Sequence, residues 1–423
     1  MKYNFLIFTF IFINIDIIKC ILKLSFKKEK PNEINENNFF DYITENIYIS
    51  NIKVGSPYQE IPIQIKFSTN EFMIIPKEKK GYFQLNNSKT LHQLEKDFEQ
   101  DFNSQFFNKG ILCWDNMLFE NNIKITNLTF ILGTNILKEL KGGVLGLRKK
   151  TLNNLSDTVS FIYLIKKRNL INSYSFHFIF NKENNGEIII GNYPHEYNNE
   201  IFDKENLKNI YVKKNNDFIY WNVKFTNIKF GNKDLNYDLN IQFNIDLGGI
   251  IASENIFDFF INNFFNELIL KNLCKIFYSS NKWYKGFYCD NNINIENFSN
   301  LYFYHKELNY TFNLNYNDLF IKEKDKLFFL IIFKHDSTDF FWEFGEVFFK
   351  KYQIIFDEEK GIIGFYNLKK IKAFNYSLLF IFLLIILVIL LISVIIRMII
   401  IKPRKLRANE LEDDYDYLEK INN

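Results

Sequence analysis

The sequence predicts a mostly β fold built from two similar lobes, and three features lead to that prediction. Short runs rich in Ile, Phe, Val and Tyr alternate with turns rich in Asn, Lys and Asp, as in chains of many short strands. The chain has 423 residues, 47% of them hydrophobic, which is enough for two packed lobes. A short corner that ends in an apolar residue followed by Gly occurs at both 143–146 (GVLG) and 342–345 (WEFG), each well after an extended run.

The clearest runs predict individual strands and helices. Strands are expected at residues 47–54, 61–67, 72–75, 174–180, 187–190, 221–230 and 352–356. Ser253 can cap a helix whose apolar residues recur with helical spacing as far as Ile269, and residues 156–167 form a weaker second case. We expect the lobes to cover residues 46–200 and 201–368.

The N-terminus has the features of a secretory signal. Met1 and Lys2 precede a short apolar run at residues 5–13, and the segment ends near Cys20. We expect residues 1–20 to be a signal peptide. The sequence leaves open whether residues 21–45, which lead into the first lobe, are a short propeptide.

The C-terminal part predicts a membrane anchor. Residues 378–396 are apolar except for Ser393, and about 20 such residues cross a bilayer as a helix. A basic cluster begins at Lys402, and basic residues favour the cytoplasmic side. We therefore expect a single-pass type I protein with a transmembrane helix at 375–401 and a cytoplasmic tail at 402–423. A buried core helix is the alternative reading of this run.

The tail also contains a candidate sorting signal. Tyr415 and Leu418 have the spacing of the tyrosine-based signals that sorting adaptors read in an extended conformation. Together with the signal peptide and the anchor, this motif predicts a location in the secretory or endosomal pathway or at the cell surface.

Charge and motif content argue against several functions. Lys and Arg (52) nearly balance Asp and Glu (49), and no basic stripe runs along the folded part, so nucleic-acid binding has no support. The five His residues lie in unrelated segments without metal-ligand spacing. No Gly-rich phosphate loop occurs, and we expect no cofactor.

Several motifs in one order resemble the pepsin family of aspartic proteases over nearly all of residues 46–368. Residues 47–59 (IYISNIKVGSPYQ) are similar to the family's opening Tyr-x-x-x-Ile-x-x-Gly-x-Pro-x-Gln strands, and residues 342–365 are the closest match. The other matching segments are 110–115 (GILCWD), 143–147 (GVLGL), 220–223 (YWNV) and 245–248 (IDLG). The resemblance implies a bilobal pepsin-like fold with a peptide-binding cleft between two β-lobes. It also implies a disulfide between Cys274 and Cys289, which suits an oxidising compartment.

The catalytic chemistry that the resemblance implies needs two carboxylates, and the chain has one of them. In this family one carboxylate accepts a proton from a water while the other, protonated, donates to the peptide carbonyl. Asp246 matches the second carboxylate. Counting back from Pro76 places Phe67 at the first, and no Asp occurs between Asp41 and Asp97.

The residues around both turns depart from the family pattern as well. Thr69 stands where the resemblance implies Gly, and Leu247 where it implies Thr. We therefore expect a catalytically impaired pseudoprotease that still binds a peptide or protein in its cleft. The alternative is an active aspartic-type endopeptidase in which Asp246 works with a substitute acid.

Overall fold

The computed structural model describes residues 21–29, 33–77, 81–94, 107–136, 140, 142–148, 160–181, 185–198, 201–212, 221–235, 238–335, 341–366, 384–393 and 395–396. The chain divides into two compact units, Met1–Leu368 and Lys369–Asn423. Strands dominate the described part of the first unit, which confirms the predicted mostly β class.

The strands of the first unit are short and are numbered here along the chain. Those of its first half are β1 (Leu22–Glu29), β2 (Ile47–Val54), β3 (Gln59–Lys66), β4 (Phe72–Ile74), β5 (His92–Gln93), β6 (Phe107–Leu118), β7 (Lys124–Ile136), β8 (Gly143–Gly146), β9 (Ser175–Phe180), β10 (Gly186–Ile190) and β11 (Leu207–Tyr211). Those of its second half are β12 (Trp221–Phe225), β13 (Asn227–Phe230), β14 (Lys233–Asp234), β15 (Leu239–Phe243), β16 (Ile250–Ser253), β17 (Cys274–Tyr278), β18 (Tyr284–Asp290), β19 (Leu301–His305), β20 (Tyr310–Leu314), β21 (Phe320–Glu323), β22 (Lys326–Phe329), β23 (Ile331–Lys334), β24 (Phe341–Phe344), β25 (Gln353–Asp357) and β26 (Ile362–Tyr366).

The helices of this unit are also short. They are α1 (Phe39–Thr44), α2 (Phe161–Lys167), α3 (Pro194–Tyr197), α4 (Phe257–Phe260), α5 (Asn266–Leu270), α6 (Tyr316–Leu319) and α7 (Glu346–Lys351). Single 3₁₀ turns lie at Leu85–Asn87, Glu120–Asn122, Lys204–Asn206, Glu254–Ile256 and Ile295–Asn297, and a π turn at Ile261–Phe265 joins α4 to α5. The helix predicted after Ser253 is therefore present as a composite, and Ser253 Oγ accepts a hydrogen bond from Asn255 N at its start.

Three sheets organise these strands, and their order shows two related halves. A 13-stranded sheet runs β11-β26-β25-β9-β10-β1-β2-β3-β8-β4-β7-β6-β5. A nine-stranded sheet runs β12-β15-β24-β16-β23-β18-β22-β21, with β17 paired to β18, and a four-stranded sheet runs β14-β13-β19-β20. Strands β11, β25 and β26 belong to the same sheet as strands of residues 22–190.

Two sequence predictions can be compared directly with these strands. The strand predicted at residues 221–230 is two strands, because β12 pairs with β15 whereas β13 pairs with β19 in another sheet, with Thr226 between them. The disulfide between Cys274 and Cys289 is confirmed, with an S–S distance of 2.01 Å. These two residues lie directly opposite each other on β17 and β18.

Residues of the N-terminal segment 21–45 are integral to the first unit. Strand β1 pairs with β10 through Phe26 and then with β2 from Lys27 onward. Alternate side chains of β1, including Leu22, Leu24 and Phe26, are buried. A segment whose apolar side chains alternate in this way is held by both sheet pairing and core packing.

The second unit is described at residues 384–393 and 395–396, which are helical and carry exposed apolar side chains. Among the residues that the structure describes, no helix is long and apolar enough to cross a membrane. The predicted anchor at 375–401 lies partly outside the described residues. The predicted signal peptide and the tail with Tyr415 and Leu418 lie wholly outside them.

Candidate active site

Asp246 lies in a six-residue loop, 244–249, between β15 and β16. Strand β24 lies between these two strands, parallel to β15 and antiparallel to β16, so that Phe344 lies opposite both Phe243 and Ile250. The loop passes close to Gly345, where an added Cβ would come within 2.3 Å of Leu247 O. Only Gly, which has no side chain, allows the chain at the end of β24 to approach the loop this closely.

The first half contains a matching loop at residues 66–71, which consists of the last residue of β3, Lys66, and the five residues that lead to β4. Strand β8 lies between β3 and β4, parallel to the first and antiparallel to the second, so that Leu145 lies opposite both Ile65 and Phe72. Here too a Gly follows, and a Cβ on Gly146 would come within 2.6 Å of Thr69 O. The two halves thus build the same loop around the same kind of corner.

The pairing of the strands on either side of each loop identifies the residue of the first half that matches Asp246. Phe243 and Ile250 both lie opposite Phe344, just as Ile65 and Phe72 both lie opposite Leu145, and the two intervals have the same length. Asp246 is the third residue after Phe243, and Ser68 is the third residue after Ile65. By this register Ser68, and not Phe67, occupies the position that matches Asp246. Asn70, rather than Thr69, then matches Gly248.

The displacement of Phe67 by one residue has a physical basis. Phe67 matches Ile245, and both side chains are buried, at 3% and 0% exposure. The Phe67 ring packs against the rings of Phe356 and Phe176, with centroids 5.3 and 5.6 Å away. Counting back from Pro76 assumed a fixed spacing between the loop and that proline, whereas the pairing of Phe72 with Leu145 sets the position of the loop. Ser68 carries a hydroxyl and no carboxylate, so the matching position still lacks an acid.

The Asp246 carboxylate is held by backbone donors of the opposite loop. Phe67 N donates to both carboxylate oxygens at 3.0 and 3.1 Å, and Ser68 N donates to Oδ2 at 3.0 Å. Asp246 is 8% exposed. Backbone N–H groups are well suited to bind a carboxylate, so the side chain of Asp246 is held by main-chain donors of the opposite loop and not by a second carboxylate at the matching position.

A second acidic side chain, Glu343, lies beside this loop on β24. Asn244 links the two acids, because its Oδ1 accepts from Asp246 N at 3.1 Å and its Nδ2 donates to Glu343 Oε2 at 3.3 Å. Burial raises the pKa of the Glu343 carboxyl, and the negative charge of Asp246 adds to the rise against the opposing effects of Asn244 and Lys334. Sequence reasoning missed Glu343, although a Glu between Trp342 and Phe344 in a strand was a visible signal.

The N-terminal segment covers the far side of the Asp246 loop. Gly248 N donates to Ile43 O at 2.8 Å, and Asn46 N donates to Asp246 O at 2.7 Å. Asn46 Nδ2 donates to Glu346 Oε2 at 2.9 Å, and the same oxygen pairs with the ammonium of Lys28 on β1. Buried polar groups thus tie β1 and α1 to the loop that carries Asp246.

The remaining predicted site residues lie elsewhere. The disulfide of Cys274 and Cys289 is on β17 and β18, and the residues predicted for sorting lie outside the described ranges. Within the described ranges no group of three or more His, Cys, Asp or Glu side chains is placed to hold a metal ion.

Comparison with known proteins agrees with this geometry. The profile of the family described as "Eukaryotic aspartyl protease" matches residues 47–368. Secreted aspartic protease 7 of Candida albicans is 23% identical over 205 residues, a match that covers 44% of this chain and 33% of that protein. The match therefore spans about a third of the length of this relative.

Proposed function

This chain belongs to the eukaryotic aspartyl protease family, and we propose that it is a catalytically impaired member that binds peptides or proteins in a pepsin-like cleft. The observation that carries the proposal is the pairing of Asp246 with the N–H groups of Phe67 and Ser68 instead of a second carboxylate. Peptide hydrolysis by this family needs one group that accepts a proton and another that donates one. Ser68 has a hydroxyl that does not titrate near neutral or acidic pH, so it supplies neither function.

We expect the purified full-length chain to show no two-aspartate endopeptidase activity. Loss of one general acid–base partner lowers a rate by about 10²–10⁴, and the water that the pair would position is lost as well. Cleavage of a broad peptide library at pH 3.5–7 should therefore be no faster with the natural chain than with Asp246→Asn.

The alternative function is an active aspartic-type endopeptidase that uses Asp246 with a substitute acid. The proximity of Glu343 to Asp246 is the observation that favours it. Cleavage at acidic pH that is abolished by Asp246→Asn would overturn the proposed impairment and establish this alternative. Peptide binding without cleavage would support a module that retains recognition and has lost the chemistry.

A second part of the proposal concerns location. We place the protein in the secretory or endosomal pathway or at the cell surface, as a single-pass type I protein anchored by residues 375–401. The apolar run 378–396 and the basic cluster after it support this topology, and the relative from Candida albicans is named as secreted. The sorting role of Tyr415 and Leu418 stays a prediction from the sequence.

Topology can be tested with an epitope tag after Asn423. In sealed vesicles, added protease should remove the tag while the folded part, residues 46–368, stays protected in the lumen. A tag that survives until the vesicles are opened with detergent would contradict the type I orientation. Extraction of the chain by alkaline carbonate would contradict the membrane anchor.

A further inference from the structure

One face of the Asp246 loop carries several polar side chains in alternating positions. Gln242 on β15 lies directly opposite Glu343 on β24, so their side chains leave the sheet on the same face. Asn244, two residues after Gln242, donates to Glu343 Oε2 and accepts from Asp246 N. On the other face, Trp342 and Phe344 are fully buried. A small polar patch of Gln242, Asn244, Asp246 and Glu343 results.

Within this patch Glu343 is the acid that a ligand can reach. The carboxylate of Asp246 already accepts hydrogen bonds from two backbone N–H groups, and the residue is buried. Glu343 is only partly buried, and its hydrogen bond with Asn244, at 3.3 Å, is long for a charge-assisted one. Its carboxyl group therefore has capacity for another partner.

The fold does not require an acid at this position. By the pairing that matches Leu145 to Phe344, the residue that matches Glu343 in the first half is Val144, which is fully buried. Strand β8 of the first half thus has an apolar residue at the position where β24 of the second half has a carboxyl group. A group that the shared architecture does not need is a candidate for a role specific to one half.

Among the residues that the structure describes, Asp246, Lys334 and Tyr284 are the charged or titratable groups that interact with Glu343. Tyr284 and Lys334 lie opposite each other on β18 and β23. Burial and the charge of Asp246 raise the pKa of Glu343, while Asn244 and Lys334 oppose the rise. Burial, and then the charge of Glu343, raise the pKa of Tyr284, which stays neutral in the acidic range. Glu343 therefore takes up a proton at higher pH than an ordinary Glu and becomes an O–H donor.

We propose that Glu343 is a ligand-binding residue of the Asp246 site, which in its protonated form donates a hydrogen bond to a backbone carbonyl of a bound, extended peptide. The inference rests on the proposed peptide-binding function and adds its pH dependence. An ionised Glu343 has two acceptor oxygens, a negative charge and no hydrogen to donate, so it repels the oxygen of the same peptide carbonyl. Peptide affinity consequently rises as the pH falls through the pKa of Glu343.

The test measures peptide affinity with a probe that has no titrating group. A library of hexapeptides of Ala, Val, Leu, Phe and Gln, each amidated at its C-terminus and carrying tetramethylrhodamine on its N-terminus, is added to the full-length chain, and anisotropy is recorded at pH 4.5 and pH 7.5. We expect affinity about tenfold higher at pH 4.5, the size of one hydrogen bond gained. Glu343→Gln, whose amide donates at every pH, should bind equally at both values. Glu343→Val, which copies Val144, should bind weakly at both.

The matched control is Glu71→Gln. Glu71 is a partly buried acid in the corresponding loop of the first half, and burial raises its pKa while Arg148 opposes the rise. This variant should keep the pH dependence of the natural chain. A pH dependence that survives in Glu343→Gln, or that Glu71→Gln removes as well, overturns the assignment of Glu343.

Two further outcomes separate this inference from the function on which it rests. Peptide binding that is equally tight at both pH values in the natural chain overturns the role of Glu343 and leaves the peptide-binding function intact. No binding at either pH by any variant, with all variants folded by thermal unfolding, overturns both. Thermal stability is a second readout. Because the pKa of Glu343 is raised on folding, the contribution of this residue to stability is largest in acid and is lost as the pH rises. Glu343→Gln should therefore unfold at a higher temperature than the natural chain at pH 7.5.

Discussion

Replacing Phe67 by Asp is expected to unfold the protein, whereas the same change one residue later, Ser68→Asp, is expected to leave it folded. Phe67 is 3% exposed and its ring contacts the rings of Phe176, Phe349 and Phe356. Loss of a buried Phe side chain costs about 3–5 kcal/mol, and an unpaired buried carboxylate adds several more. That sum approaches the whole stability of a typical domain, about 5–15 kcal/mol.

Urea denaturation at pH 5 measures the difference in free energy of unfolding between the two variants. Ser68→Asn serves as the neutral control, because the Asn side chain is nearly equal in size to that of Asp. Ser68 is partly exposed, so a carboxyl there can reach solvent, and acidic pH limits its repulsion of Asp246. Equal destabilisation by Phe67→Asp and Ser68→Asp would contradict the register derived from the strand pairing. If the register is right, Ser68→Asp is also the change with which a two-carboxylate site can be rebuilt.

The second large effect is expected from Lys28→Met, which removes one partner of a buried ion pair. Lys28 and Glu346 have side chains only 2% exposed, and their charged groups are in direct contact. Burial alone would raise the pKa of Glu346, but Lys28 and Lys350 outweigh it and hold the pKa below its ordinary value. Removing one partner from a buried pair costs about 3–5 kcal/mol, and we expect a loss at the lower end of that range because Lys350 remains as a second cationic partner of Glu346.

The pH dependence of this loss has a definite sign. A carboxyl whose pKa is lowered on folding contributes stability above its unfolded pKa, and that contribution is lost as the pH falls through the lowered value. The destabilisation by Lys28→Met in urea should therefore be largest at pH 7 and smaller in acid. Lys23→Met is the matched control on the same strand, because Lys23 and Glu187 are 3.8 Å apart and substantially exposed. Such exposed pairs contribute about 0–1 kcal/mol.

A loss with Lys28→Met no larger than with Lys23→Met would contradict a structural role for the buried pair. A large loss would mean that β1 is required for the stability of the first unit. Proteolytic removal of residues 21–45, which the sequence left open as a propeptide, would then destabilise the remaining chain.

Local sequence pattern accounts for much of the fold. Strand β2 matches the run predicted at residues 47–54, and the composite helix begins after Ser253 as its capping side chain indicated. The disulfide of Cys274 and Cys289 also forms as the family resemblance implied. These features depend on residues near each other in the chain, or on the motifs that carry the family resemblance.

The sequence by itself determined that no Asp is available for the first turn, since none occurs between Asp41 and Asp97. Only the tertiary structure decided that Ser68 matches Asp246, that Glu343 shares its polar face and that Lys28 pairs with Glu346. The physical reason is the two-residue period of a strand, because a shift of one residue moves a side chain from the site to the core. Which residue faces the site therefore depends on pairing with β8 and β24, far along the chain, and local pattern does not encode that register.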